Sequence, residues 1–325
     1  MKKIDKRRMP CSPQARRTGK DLCVMVILLP LLLGALMMTP AYAIENGKTA
    51  NPGGADDWLD CMAPPPGGIY GLAYTGYFWA DRFNDSHGRP QVPIFHTNYE
   101  LTAFRIGYMT KWKFLGADVG FNAIMPFARG YADVGIPAIG YRNSQTKAGY
   151  GDTVLGPIIL GWHGKNFHQV ATIQIYTPTG MYDKNDLVNL GNNVWTFEPV
   201  YSFTYLGDKG FDVAAKCMYD INTKNQSTDY LSGQALTIDY SIGQRYKNFR
   251  FGVVGNFYKQ LSQDQQFSVI YNNGNKAQSF SIGPAITMDY KFLFFELKYE
   301  KGLDVRNMPV LDKIYFKIAM PLAIL

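Results

Sequence analysis

The sequence predicts an all-β chain: an antiparallel transmembrane β-barrel of about twelve strands, an even number, behind a cleaved N-terminal signal peptide. Three observations predict it. About a dozen segments alternate apolar and polar side chains, and successive side chains of a strand point to opposite faces. The connections between these segments alternate short and long, as the turns and loops of a single-chain barrel do. A leader that exports the chain precedes them all.

The leader comes first. Eight Lys/Arg and two Asp fall within residues 1–21, followed by an apolar run from Leu22 to Met38 and then Thr39-Pro40-Ala41-Tyr42-Ala43. Ala41-x-Ala43 is a small-residue cleavage site, so residues 1–43 read as a signal peptide rather than a membrane anchor. The chain carries 33 basic and 26 acidic residues, net +7. Without the leader 25 and 24 remain, so the basic balance belongs to the discarded part and gives no case for nucleic-acid binding. Cys61 and Cys217 remain. Cys217 sits mid-strand on an apolar face and Cys61 precedes the first strand, so we expect two thiols rather than a disulfide.

Residues 44–68 contain Asn51-Pro-Gly-Gly and Ala63-Pro-Pro-Pro-Gly-Gly. They read as a periplasmic N-terminal arm, too short to fill a wide lumen. The barrel is expected over 69–325. Its strands fall near 69–80, 98–111, 114–126, 151–163, 167–177, 194–206, 210–222, 230–246, 249–261, 278–290, 292–300 and 313–324. Short connections lie near Lys113, 164–166, 207–209, Lys247 and Lys291. Long ones span 81–97, 127–150, 178–193, 223–229, 262–277 and 301–312. An even strand number puts both barrel ends on the periplasmic side.

The facings agree between strands. Phe211, Val213, Ala215, Cys217, Tyr219 and Ile221 share one face, and Asp212, Lys216 and Asp220 the other. Trp195, Phe197, Tyr201, Phe203 and Tyr205 likewise oppose Thr196, Glu198, Ser202 and Thr204. A soluble all-β sandwich would need a second sheet to cover so many aromatic side chains. Pro157, Pro199 and Pro284 fall on strands, where each removes a ladder donor.

These facings send Arg105, Asp118, Glu198, Asp212, Lys216 and Asp239 into the lumen. Arg250, Asp289, Glu296, Lys298 and Lys317 join them. Both signs are present, which suits pairing across a narrow interior better than a ring of one charge. The long loops offer Tyr131, Tyr141, Tyr150, Tyr182 and Tyr271 as candidates for capturing weakly polar or aromatic solutes. Chemistry is poorly represented. His87, His96, His163 and His168 stand in no zinc-ligand pattern and no GxSxG elbow occurs. Ser86-His87, with Asp81 or Asp85 near, is the one local hydrolytic candidate. We expect no enzyme, no cofactor and no metal.

Several segments resemble a family, the proteins involved in the meta-pathway of phenol degradation. The resembling pieces include Ala63-Pro-Pro-Pro-Gly-Gly-Ile-Tyr70, Gly149-Tyr-Gly-Asp-Thr-Val-Leu-Gly-Pro157, Tyr176-Thr-Pro-Thr-Gly-Met-Tyr-Asp183, Asn192-Asn-Val-Trp-Thr-Phe-Glu-Pro199, Thr228-Asp-Tyr-Leu-Ser-Gly233 and Ser281-Ile-Gly-Pro284. The resemblance implies a barrel in the bacterial outer membrane linked to aromatic catabolism, and supplies no catalytic residues. The expected function is an outer-membrane channel for passive uptake of small hydrophobic or aromatic compounds. The alternative is a structural or adhesive barrel whose loops bind a partner. Expected partners are outer-membrane lipid, the solute and the outer-membrane assembly machinery.

Overall fold

In the computed structural model the described residues are 45, 48–58, 61 and 65–324, all within the unit Ala41–Leu325. The expected leader, 1–43, lies outside the described residues. Seventeen strands occur: β1 (Gly68–Ala80), β2 (Ile94–Phe114), β3 (Ala117–Ile136), β4 (Tyr141–Tyr150), β5 (Val154–His163), β6 (Phe167–Tyr176), β7 (Thr196–Leu206), β8 (Phe211–Asn222), β9 (Lys224–Asn225), β10 (Tyr230–Leu231), β11 (Ala235–Tyr246), β12 (Phe249–Gln260), β13 (Gln265–Gln266), β14 (Val269–Ile270), β15 (Gln278–Tyr290), β16 (Leu293–Arg306) and β17 (Asp312–Ile324).

Twelve of them close a ring in which every neighbour is antiparallel. The order runs β2-β1-β17-β16-β15-β12-β11-β8-β7-β6-β5-β3, and β3 pairs back onto β2. The ring leaves no free edge. β4 stands outside it, paired with the upper part of β3. The two-residue strands β9, β10, β13 and β14 form a small separate sheet over the long connections.

Side-chain facing inverts that of a soluble barrel. Outward positions such as Phe104, Leu155, Phe197, Phe251, Leu297 and Phe316 are large, apolar and exposed. Inward positions hold Glu198, Asp212, Lys216, Asp239, Glu296 and Lys298, each at most 3% exposed. Apolar surface exposed as a continuous belt around buried charge requires lipid outside. The sandwich reading fails on this observation.

The strand prolines stay where the sequence puts them, and the ladder yields around each. Pairing of β5 with β6 shifts register between Leu155 and Ile158, beside Pro157. Pairing of β7 with β8 skips from Phe197 to Val200, past Pro199. Pairing of β15 with β16 skips from Ile282 to Ala285, past Pro284. A missing N–H costs one ladder bond and leaves the strand intact.

Two expected loops prove to be strand. Within 127–150, β3 continues to Ile136 and β4 pairs with it from Tyr150 to Tyr141, as a ribbon beyond the ring. Within 301–312, β16 runs on to Arg306. Above the lipid belt one face meets water and the other packs on the connection 177–195, so backbone pairing persists after the apolar alternation has stopped.

The larger correction concerns the arm. It was expected below the barrel, and its described residues lie inside it. Trp58 donates its indole N–H to Asp212 at 3.1 Å, Gly54 N–H donates to Asp239 at 2.7 Å, and Glu45 N–H donates to Ser232 at 2.9 Å. The arm therefore ascends from the short-turn end, where β1 begins, to the long connections. Length misled the expectation: extended chain rises about 3.3 Å per residue, so a dozen residues cover the height of the wall. Two glycines let it lie flat against that wall. Gly53 (φ 60°) and Gly54 (φ 81°) adopt left-handed backbone, and a Cβ on Gly54 would stand 2.2 Å from Glu300 Oε1.

Candidate functional site

The arm is held by charge drawn from strands all around the ring. Asp56 Oδ2 meets Lys216 Nζ and Arg105 Nη1, both at 3.2 Å, and Asp56 Oδ1 accepts the Tyr74 hydroxyl at 2.8 Å. Asp57 pairs with Lys298 at 2.6 Å. Lys298 also meets Glu296 at 3.1 Å, and Glu296 meets Lys317 at 2.8 Å. Lys313 donates to Gly53 O at 3.0 Å and pairs with Glu300 at 3.0 Å. Such groups are stable in a desolvated interior only while each keeps its partners.

Most predicted lumen residues join this network. Arg105, Lys216, Lys298 and Lys317 bind or approach the arm's carboxylates; Glu296 bridges two of the lysines. Asp212 and Asp239 accept from Trp58 and Gly54, and Arg250 ties Asp212 to Asp289 at 3.0 Å each. Glu198 is fully buried and accepts the Tyr176 hydroxyl at 3.5 Å. Asp118 pairs instead with Lys113 at the turn end. Asp289 lies at that rim, its side chain 44% exposed. Sequence reasoning missed Asp56, Asp57, Glu300 and Lys313: the first two lay in a segment without alternation, the others at strand ends.

Trp58 closes the lower lumen. Its ring lies against Gly243 and Gly252, where a Cβ would come within 2.2 Å and 2.7 Å of indole carbons. Two glycines facing one another on β11 and β12 make the niche that the indole fills. Beside Pro52 and Gly53 a gap of about 40 Å³ remains, space for a water or so.

Beside the upper part of the arm the lumen opens into a cavity of about 840 Å³. One wall is aromatic and aliphatic, with Phe78, Tyr99, Leu101, Val134, Leu187 and Val188. The other is polar, formed by Gln174, Lys216, Asp220 and Asn222 together with Lys48 and Asp56 of the arm. The connection 177–195 supplies much of the lining and is tied down by two acids. Asp152 accepts the N–H groups of Gly180 (2.8 Å) and Asn192 (2.6 Å), and burial raises its carboxyl against those bonds. Asp186 accepts Lys147 and Gln145, both at 2.6 Å, which hold it below the usual range.

Of the five tyrosines expected to capture solute, Tyr131 and Tyr182 line the cavity. Tyr141, Tyr150 and Tyr271 do not; all three are exposed. Tyr150 pairs with outward-facing Phe127 on the ribbon, and Tyr271 packs edge-on against Tyr230 in the cap. In segments without alternation, residue type carries no information about facing.

The hydrolytic candidate lacks a relay. Ser86 Oγ lies 3.2 Å from His87 Nδ1, and Asp85 approaches the same nitrogen at 4.0 Å. A base must take the proton on one ring nitrogen and be oriented through the other. Asp85 is also engaged by Arg89 and by the backbone of His87. No disulfide joins Cys61 and Cys217; the Cys61 thiol donates to Ser202 Oγ at 3.1 Å. Among the described residues no group of three metal-ligating side chains occurs.

A family model described as "Putative MetA-pathway of phenol degradation" matches residues 80–318. The chain belongs to that family. Its fold is similar to that of the COG4313 outer membrane channel from Pseudomonas putida F1, with a TM-score of 0.71 at 15% identity, covering 82% of this chain and 99% of that one. The transport unit of the autotransporter AIDA-I from Escherichia coli gives 0.48 at 10% identity, over 83% and 95%. A FadL homologue from Pseudomonas aeruginosa gives 0.40 at 8%, over 87% and 98%. No curated protein matches the chain. The family member is thus a closed twelve-stranded barrel of the outer-membrane type.

Proposed function

We propose that this family member is an outer-membrane channel for passive, inward passage of small hydrophobic or aromatic compounds, reached from the long-connection side. One observation carries the reading: an 840 Å³ cavity with an aromatic wall lies beside the chain's own arm, which fills the lumen below it. Pockets of that volume and lining suit drug-sized apolar ligands. The arm blocks a straight aqueous path, so solute leaves the cavity sideways. The exit is the seam of β3 and β5, whose pairing extends from Asp118 to Ile124 and breaks register at Gly120/Asn122. Ile124, Pro126, Gly151 and Val154 border both that seam and the cavity. Lipid around the wall, the solute and the outer-membrane assembly machinery are the partners; residues 1–43 are the export signal. The crowding of Ser86 and Asp85 onto the same His87 nitrogen supports a role without catalysis.

Uptake of labelled phenol or toluene at low micromolar concentration, in matched cells with and without the gene, tests the reading. A lower initial rate on deletion, restored by the gene, is expected. An unchanged rate with folded protein in the outer membrane overturns it. Exposed Phe267, Val269 and Ile270 at the cap favour a second reading, a structural or adhesive barrel with partner-binding loops. That barrel would show no solute-dependent flux.

A further inference from the structure

The arm carries one cation into the cavity that forms no ion pair with any described residue. Lys48 is half-buried and lines the cavity. Its Nζ donates to the carbonyl oxygens of Asn189 at 2.9 Å and Gly191 at 3.4 Å. Both acceptors belong to the connection 177–195, beyond the spanning strands. An ammonium has three protons to give, so one donor remains.

The carboxylates nearby are spent elsewhere. Asp152 holds the backbone of Gly180 and Asn192. Asp186 holds Lys147 and Gln145. Glu45 accepts from Asn225 Nδ2 at 2.8 Å. Among the described residues none forms an ion pair with Lys48. Tyr99, Pro126, Val188 and Leu190 line the same cavity. A half-buried cation without a directly paired carboxylate is unfavourable, and a guest carboxylate would supply both the paired charge and the missing acceptor.

We propose that Lys48 reads the head group of an amphipathic organic anion, an aromatic or aliphatic carboxylate whose apolar body lies along the wall of Tyr99, Leu101 and Val188. This rests on the channel reading above and narrows its solute class. Because Lys48 belongs to the arm, the guest is sensed by the segment that blocks the lumen. A carboxylate drawing Nζ from Asn189 and Gly191 releases one of the arm's upper tethers, the bonds of Glu45 to Ser232 and Asn225 remaining.

The charge on Lys48 depends on pH in a useful range. Burial lowers its pKa to about 8, with Asp152 opposing and Lys147 assisting. Glu45, Lys184, Asp186, Tyr99 and Tyr182 are further titratable groups lining this part of the cavity. Above pH 8 the empty site loses its charge, and affinity for a carboxylate falls with it.

The experiment is calorimetric titration of the full chain in lipid nanodiscs with 2-naphthoate and methyl 2-naphthoate. At pH 7 the acid is expected to bind roughly tenfold tighter than the ester, the worth of one hydrogen bond between charged groups. Lys48→Met removes that preference. Raising the pH to 9.5 weakens the acid in the native protein but not in Lys48→Arg, whose guanidinium stays charged. A preference that survives Lys48→Met overturns the proposal, and so does a Lys48→Arg profile that falls like the native one. If Lys48→Met does not fold, the Lys48→Arg profile decides. Equal binding of both probes removes this proposal alone; binding of neither removes the channel reading with it.

Discussion

Replacing Asp56 by Asn leaves the arm its shape and takes away the charge that seats it. The carboxylate serves Lys216 and Arg105 at 3.2 Å each, lies 4.0 Å from Lys317 and accepts from Tyr74. An amide cannot neutralise these cations. Removing one partner from a buried ionic cluster costs about 3–5 kcal/mol. The lower figure applies here, because Asp56 also borders the cavity and water there screens part of the loss. At 1.4 kcal/mol per decade, about 3 kcal/mol shifts the balance between seated and released arm roughly a hundredfold. Two assays read it. In planar bilayers the substituted protein should dwell in a state of higher conductance that the native protein visits rarely. In a Cys217→Ala background, Cys61, which has no exposed surface, should react with a water-soluble maleimide far faster. Native conductance together with native Cys61 protection would refute the view that charge holds the arm.

Gly54→Val tests the same seat sterically. A left-handed φ and a Cβ 2.2 Å from Glu300 Oε1 should cost about 2 kcal/mol or more, again seen as Cys61 reactivity. In the cap, burial pushes Asp264 up to about 8. A folded-state pKa raised above the unfolded value gives stability that is complete at low pH and lost as pH rises through 8. Tryptic cleavage at Lys276 should therefore quicken from pH 5 to 9, and Asp264→Asn should flatten that profile. Ser86→Ala with His87→Ala should leave any ester hydrolysis by a preparation unchanged; loss of hydrolysis would restore the loop as a catalytic candidate.

Alternation made the twelve ring strands legible, because each one separates lipid from a charged interior. Glu198 and Phe197, or Asp212 and Phe211, could be assigned opposite faces without coordinates. The rule lapses where lipid ends. Tyr141–Tyr150 is polar at most positions because one face meets water while Gln145 and Lys147 on the other bond to Asp186, so only backbone pairing reveals the strand. The arm was hidden for another reason. Its partners lie up to 263 residues away, as with Pro52 and Tyr315, and no local period encodes such contacts. One hint was present: Asp56-Asp57-Trp58 is an acidic and aromatic triplet in a stretch otherwise rich in Pro and Gly. Its counterparts, two glycines on β11 and β12 and a row of inward lysines, were visible in the strands. What joins them is the topology of the closed ring.

The seat of Asp56 has a consequence for how such sequences can drift. A single arm position answers to residues 105, 216 and 317, on three strands far apart along the chain. A charge reversal in any of them is tolerated only if the others are rewritten with it. The lumen half of the wall and the arm must therefore change as one block, while the lipid half is free to exchange one apolar residue for another. Aligned relatives should show paired substitutions linking position 56 to those three sites, and no such link for Phe104, Leu297 or Phe316.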